Sequence, residues 1–308
     1  MPLKVPLSDI VHNDAITESL RSRRRSYIPN SQMRTIEKHF NLTRMSSLFL
    51  DYTITENPTV ENGTLKLGCS GEIFANGSEG TPFSPVNVPM PSLQTSSTML
   101  NILLTDFVPN SLLYHGHKTG LFNSRVDPST PQVGPMMRTS CEGSSGPLFC
   151  LGDVFPTLRH YYPNRGIAMA FASRTAPVMI FRNNDKGARD CSLFGINGRA
   201  TISAIDENGL EKHVGEMYID IEGTIKIRVV HSIIKCKVAL EKVQFTSLTT
   251  DVLKQDELDD ASFLCRDVMQ RMINDLLKDR IPVPIHPLFK LKNLKVLLSI
   301  LKNLFFIL

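Results

Sequence analysis

The sequence has no CxxC pair, although six cysteines are spread along it as Cys69, Cys141, Cys150, Cys191, Cys236 and Cys265. A zinc site or a thioredoxin-like redox motif therefore has no support. Walker, GxGxxG and HExxH spacings are missing too, and with them the phosphate-cradling and zinc-hydrolase chemistries that those spacings serve. The run CEGSSGP at 141–147 is one residue short of GxSxG. No nucleophile–base constellation is legible, so the reading is of a protein that is not an enzyme and carries no catalytic residues, metal or cofactor.

Charge is also scarce. Thirty-four Lys and Arg stand against 30 Asp and Glu, a net charge of +4. Residues 1–45 carry eight basic and four acidic residues and residues 288–308 carry four Lys and no acid, so the middle of the chain is at −4. A globally basic surface for nucleic acid is excluded on this balance, and any anion-binding site has to be local. The first twenty residues lack an apolar core of seven or more and place Asp9 and Asp14 early, unlike a signal peptide. The apolar end, NLKVLLSILKNLFFIL, is interrupted by Lys295, Ser299 and Lys302. Its charge-free runs are shorter than the ~18 residues of a spanning helix, and a terminal strand or interfacial helix is expected.

What is there is mostly strand. LFLDYTIT (48–55), TLKLGCSGEIF (64–74), GIAMAFASR (166–174), RATISAID (199–206), EMYIDIEGTIKIRVV (216–230) and IIKCKVALEKVQF (233–245) alternate apolar and polar residues. That period of two makes a half-buried strand. Joined by short turns, they read as one large antiparallel sheet. The strongest helix is 256–280, with an acidic start and a stop at Pro282; Ala261, Cys265, Val268, Met272 and Leu276, with Leu264, Met269 and Ile273, form its wide apolar face. A second helix is expected over 105–120, capped by Thr105 or Asp106 and ended by Gly120, and a short one over 152–164 with Asp153 as cap. Strands before, between and after few helices indicate an α+β fold, with a twisted sheet curled around the helices.

Several features have competing readings. In HGH, His115 and His117 are two apart; on a helix they point to different faces, which suits a solvated helix end better than a metal. The acidic run Asp256–Asp260 reads as a solvated helix start rather than a cation site, and Arg21–Arg25 as an exposed loop rather than a cleavage or phosphate site. Sequons at Asn41, Asn62 and Asn76, taken with the cysteines, lean towards a secreted glycoprotein. Six cysteines allow fifteen complete pairings. Cys141 and Cys150 are nearest in sequence, with a flexible EGSSGPLF between them, and are the expected disulfide of a secreted chain; Cys265 is expected to be a free thiol on the helix stripe. The stretch TPFSPVNVPMP (81–91) puts four prolines among Phe83, Val86, Val88 and Met90. Gly and Ser would make a linker; this composition instead suits an extended segment packed on something apolar.

The order GEIF, TPFSPVNVPMP, STMLNILLTDFVPNSLLYHGHKTGLF, then LRHYYPN (158–164) and DRIPVPIHPLFKLKNLKVL (279–297) resembles the C-terminal half of the lipid-transfer/lipopolysaccharide-binding family, which is bactericidal/permeability-increasing protein-like. The resemblance implies one half of a boomerang-shaped two-barrel fold, a twisted antiparallel β-barrel wrapped around a long α-helix. Residues 46–308 would form the C-terminal lipid-binding barrel with its central-sheet strands, and 1–45 the end of an absent N-terminal barrel and its linker. It implies an extracellular protein that binds a phospholipid or a lipopolysaccharide-like lipid by its acyl chains, with membrane-surface contact and a role in lipid transfer or innate defence. Phe107, Leu112, Leu113, Val268 and Met272 lie on the two segments resembling the family's pocket helices and are the candidate lining. TPFSPVNVPMP becomes an extended cover on the barrel, whose prolines need no ladder partners. The alternative is a protein-interaction or structural domain whose core is filled by its own side chains.

Overall fold

The computed structural model describes residues 4–7, 42–61, 63–85, 102–130, 133–141, 149–182, 191–230, 233–276, 281–282, 296–299 and 304–307. Along the chain, β1 (Lys4–Pro6), β2 (Leu48–Asp51), β3 (Thr59–Glu61), β4 (Thr64–Lys66), β5 (Ile73–Ala75) and β6 (Ile102–Thr105) lead into helix α1 (Phe107–Lys118). Next come β7 (Ser124–Val126), the short helices α2 (Leu151–Val154) and α3 (Pro156–Tyr161), β8 (Gly166–Ser173) and β9 (Val178–Arg182). Three long strands follow, β10 (Cys191–Ile205), β11 (Glu211–Val230) and β12 (Ile233–Ser247), then helix α4 (Gln255–Leu276). The chain ends in β13 (Ile281–Pro282), β14 (Val296–Ser299) and β15 (Leu304–Ile307).

The alternation of residues 166–245 produces a seven-stranded sheet in the order β13-β12-β11-β10-β8-β7, with β9 on the other half of the β10 edge. The pairings within it are antiparallel. Its order is linear, so the described strands form no closed barrel, and a barrel is therefore not what the long alternating strands build by themselves. Three smaller sheets accompany it: β1-β2-β5, β14-β15-β6 and the β3-β4 hairpin. The apolar C-terminal segment thus supplies strands, of which β15 pairs with β6 just before α1.

One face of the large sheet is core. Ala200, Ile202 and Ala204 of β10, Met217, Ile219, Ile221 and Ile225 of β11, and Val238, Leu240 and Phe245 of β12 are buried there, against Phe155 and Leu158 from α2–α3 and Leu258 and Ala261 from α4. The inward parity of β12 switches from even (Val238, Leu240) to odd (Val243, Phe245). A bulge causes this: Glu222 pairs with Lys242 and Gly223 with Leu240, which leaves Glu241 over. Gly223 is needed at the bulge, because a Cβ there would stand 2.5 Å from the Ala239 carbonyl oxygen and 2.8 Å from the Phe194 ring.

Helix α4 lies alongside β12 and closes its outer edge. Backbone groups on a strand edge must find partners when water is excluded. Gln255 Oε1 accepts from Ser247 N–H at 2.9 Å and its Nε2 donates to the Phe245 carbonyl at 2.8 Å. Gln270 accepts from Leu240 N–H at 2.8 Å. Asn274 accepts from Val238 N–H at 2.8 Å and donates to the Val238 carbonyl at 2.9 Å. The lengths match: Gln255 to Asn274 is about 28 Å of helix at ~1.5 Å per residue, and Ser247 to Val238 is about 30 Å of strand at ~3.3 Å per residue. The packed stripe is Leu258, Ala261, Cys265, Met269 and Ile273, of which all but Leu258 lie on the expected apolar face. Val268 is half-buried beside it, and Phe263 and Leu264 are exposed.

Other expectations change on contact with the structure. The segment 64–74 is not one half-buried strand: it breaks into β4 and β5, and Leu65 and Leu67 are exposed. Gly71 at φ +65° turns the chain between them, and among the described residues β4 pairs with β3 alone. The helix expected over 152–164 is two helices, because Pro156 opens a second one. Asp153 is not its cap; it sits in the first turn of α2 and accepts from Cys150 N–H at 3.0 Å.

Replacing Asn274 by Leu strips both partners from Val238 and should cost about 1–3 kcal/mol, while the exposed Arg271→Gln should stay within about 0.5 kcal/mol. Urea unfolding of the two variants measures the difference; equal midpoints would show that the edge does not depend on the amide.

Candidate functional site

Helix α1 joins the two halves of the molecule by the same device as α4. Asn110 Oδ1 accepts from Met179 N–H at 2.8 Å and its Nδ2 donates to the Met179 carbonyl at 2.7 Å, which closes the free edge of β9. Ser111 Oγ accepts from Ile73 N–H at 3.0 Å on β5. Val108 and Leu112 pack against Leu48, Leu50 and Ile73 of the small sheet and Leu121 after the helix. Gly120, at φ +72°, ends the helix as expected. Asp106 stands at the N-cap, but its side chain makes no capping bond.

The other side of α1 is aromatic. Phe107 is buried, and Phe83 stacks edge-on to it at 6.0 Å and to Tyr114 at 6.2 Å. The first apolar residue of the proline-rich stretch therefore lies on α1, as a cover would; Val86, Val88 and Met90 lie outside the described residues. Leu113 is half-buried on the same helix. Val268 is half-buried on α4, and the side chain of Met272 lies outside the described residues. Helix α1 rests on β5, β9, β2 and β6, and α4 on β12 and α2. The candidate lining thus falls on two helices with different packing partners: Leu112 belongs to the small-sheet cluster and Phe107 to the aromatic one.

The two histidines are not a solvated helix end. His115 is 1% exposed; its Nε2 lies 3.3 Å from Thr81 Oγ1 and its Nδ1 3.4 Å from Ser78 Oγ. Thr81 donates its hydroxyl to Glu72 at 2.6 Å, which leaves that oxygen to accept from His115 Nε2–H. His117 Nδ1 meets Ser173 Oγ at 2.7 Å on β8. A Thr–His–Glu set invites comparison with a catalytic triad, but the threonine proton already goes to the carboxylate and the imidazole is sealed from solvent. The network ties residues 72–81 to α1. Burial pushes the His115 pKa down, partly opposed by the Glu72 charge, and burial together with Lys118 pushes His117 down.

Cys141 and Cys150 form a disulfide, with Cα atoms 5.8 Å apart. They lie near the Asp153 carboxylate; with both sulfurs bonded to each other, that trio holds no thiolate for a metal. Cys265 is free and half-buried, and burial pushes its thiol up to about 11. Asn76 is at an exposed turn before Gly77 at φ +75°; Asn41 and Asn62 lie outside the described residues, as do Arg21–Arg25.

A cavity of about 520 Å³ opens at the β10–β11 turn, lined by Arg125, Asp127, Arg138, Asp206, Glu207 and Glu211 among others. Arg125 pairs with Asp127 at 3.2 Å and with Glu211, and Arg165 reaches Glu207 at 3.8 Å. Burial raises the Asp127 carboxyl, but hydrogen bonds from Ser129 and Arg125 outweigh it and leave the group below its ordinary value. The candidate lipid residues do not line this groove, and its charged walls offer an acyl chain nothing.

An antiparallel α+β module with apolar helices laid against sheet edges is thus the class the geometry defines. The profile of the LBP / BPI / CETP family, C-terminal domain, matches residues 43–307. The chain belongs to that family, one of lipid-binding and lipid-transfer proteins. Among solved structures it is similar to one described as "Crystal structure of lipopolysaccharide binding protein", with 15% identity and a TM-score of 0.45 over 84% of this chain and 53% of that one. The chain therefore spans about half the length of that structure. No curated protein sequence matches it.

Two outcomes follow for the wild-type protein. Because the unfolded chain binds protons at His115 and His117 near pH 6.5 and the folded chain binds them only at lower pH, their contribution to stability should hold above that pH and fall as pH drops below it. Thermal melts from pH 7.5 to 5 should show this decline, flattened in H115Q/H117Q; an identical slope in the double variant would contradict the buried network. Iodoacetamide at pH 8 should label exposed Cys69 rapidly and Cys265 slowly, with Cys141 and Cys150 labelled after reduction alone.

Proposed function

We propose that the chain binds an acyl-chain lipid, a phospholipid or a lipopolysaccharide-like molecule, on apolar surface offered by α1 and α4, with Phe107, Leu112, Leu113, Val268 and Met272 as contacts. The observation that carries this is the family match across residues 43–307. Support comes from the apolar surface that α4 leaves uncovered beside Val268, where Phe263 is 70% and Leu264 51% exposed. In this reading the lipid-binding unit spans 46–308, the large sheet curls around the helices once a lipid fills the space, and the protein works outside the cell in lipid transfer or defence against bacterial lipid. The disulfide between Cys141 and Cys150 and the exposed Asn76 sequon are compatible with an extracellular glycoprotein. Nucleic acid is not a partner in this reading.

A second reading, an interaction or structural domain with a self-filled core, is favoured by one observation: Leu112 and Phe107 already pack against the protein's own side chains. The two differ in a titration with a fluorescent fatty-acyl phospholipid probe at low and high salt. Each buried methylene contributes about 0.8 kcal/mol, so the lipid reading expects saturable binding with little salt dependence, weakened at least tenfold by Val268→Asp. Absence of saturable binding by a protein with a folded circular-dichroism spectrum would establish the second reading.

A further inference from the structure

The strand register gathers cations at one end of the large sheet. Cys191 of β10 pairs with both Arg182 of β9 and Lys226 of β11, and Lys226 pairs in turn with Lys237 of β12. One row further out, Arg228 pairs with Lys235. Two adjacent cross-strand rows therefore hold five basic residues, and no described carboxylate occupies either row. Lys226, Lys235 and Lys237 are exposed; their parity is opposite to that of the core residues Ile225, Val238 and Leu240, so they stand on the outer face. The next row inward, Leu193–Thr224–Ala239, is uncharged. Glu222, the nearest acid in register, is taken by Lys242 at 3.7 Å.

These rows lie towards the Val230–Ile233 end of the β11–β12 pair. Among the described residues the β10–β11 pairing runs to Cys191–Lys226 and the β11–β12 pairing to Val230–Ile233. At that end the register gives two aliphatic pairs, Val229–Ile234 and Val230–Ile233, and β13 pairs with Ile233 and Ile234 along the other side of β12. An exposed cationic band on one face, with no carboxylate in its rows among the described residues, is complementary to an anionic headgroup plane. The middle of the chain is at −4 overall, so this is a local accumulation rather than a consequence of net charge.

We propose that the β11–β12 hairpin docks the protein onto an anionic phospholipid membrane surface, with Lys226, Lys235 and Lys237 against the phosphates. This rests on the lipid reading above and assigns it a place of contact. A protein that loads or delivers an acyl chain at a membrane has to be held there while the chain moves, and the hairpin supplies that hold.

Flotation with vesicles of phosphatidylcholine containing phosphatidylserine, and with pure phosphatidylcholine, tests the proposal. Wild-type protein should float with the anionic vesicles alone and be released by 0.5 M salt. K226Q/K235Q/K237Q should lose about 100-fold in partitioning, at about fivefold per lysine. The charge-matched K118Q/K212Q/K254Q should bind as the parent does. Equal binding to both vesicle types, equal loss in both triple variants, or retention on single-stranded RNA without vesicle binding would each overturn the proposal. Acyl-probe uptake measured alongside separates the two claims. Uptake without anionic-vesicle binding refutes the hairpin and keeps the pocket; vesicle binding without uptake refutes the pocket and keeps the hairpin.

Discussion

An open antiparallel sheet has edges, and its unpaired backbone groups must be satisfied; in this protein side chains on helices satisfy them. Gln255, Gln270 and Asn274 on α4 bond to β12, Asn110 on α1 bonds to β9, and Ser111 to β5. A carboxamide can mimic the donor and acceptor of a missing strand, so each helix serves as a last strand while its apolar stripe covers the core. That requirement fixes which faces of α1 and α4 remain for a ligand: Leu113 on α1, and the Leu264–Val268 side of α4. The small and large sheets share little backbone pairing among the described residues, so α1 is the element that relates them.

Much of the fold was legible because one signal dominates it. Alternation at 166–173, 199–205, 216–230 and 233–245 became β8, β10, β11 and β12 with Ala200, Ile202, Met217, Ile219, Val238 and Phe245 inward, since a period of two can bury one face in a single way. Helix α4 and the Cys141–Cys150 pair were equally direct. What failed depends on a second layer that alternation cannot report. Leu65 and Leu67 alternate as core residues do, but they stay exposed on the two-stranded β3–β4 hairpin. His115 reads as polar until residues 78–81 fold over it. The edge amides were invisible for a similar reason: Gln270 and Asn274, four apart beside an apolar stripe, look like an ordinary solvated flank. The signal was their spacing, but its meaning required knowing which strand lacked a neighbour.

The candidate lining was carried by resemblance rather than by pattern. Family membership supports the kind of ligand, while the positions of Phe107 and Leu112 against the protein's own residues define what a ligand has to displace. A site of this sort opens by exchanging internal apolar contacts for lipid contacts, an exchange of similar chemistry on both sides. It therefore needs little net energy and no charged anchor. In the proposed reading the cationic rows on β11 and β12 would add a separate, salt-sensitive contact on the outer face of the large sheet, apart from the helices that carry the candidate lining.

The most direct test of the lipid-binding account is native mass spectrometry of the full chain purified without added lipid, followed by organic extraction of the same sample. The account predicts a mass above that of the polypeptide and its glycans, removed by extraction and recovered as an acyl-chain lipid in close to stoichiometric amount. A folded protein at its bare polypeptide-and-glycan mass, with nothing extractable and no lipid taken up on incubation with phospholipid, would contradict it.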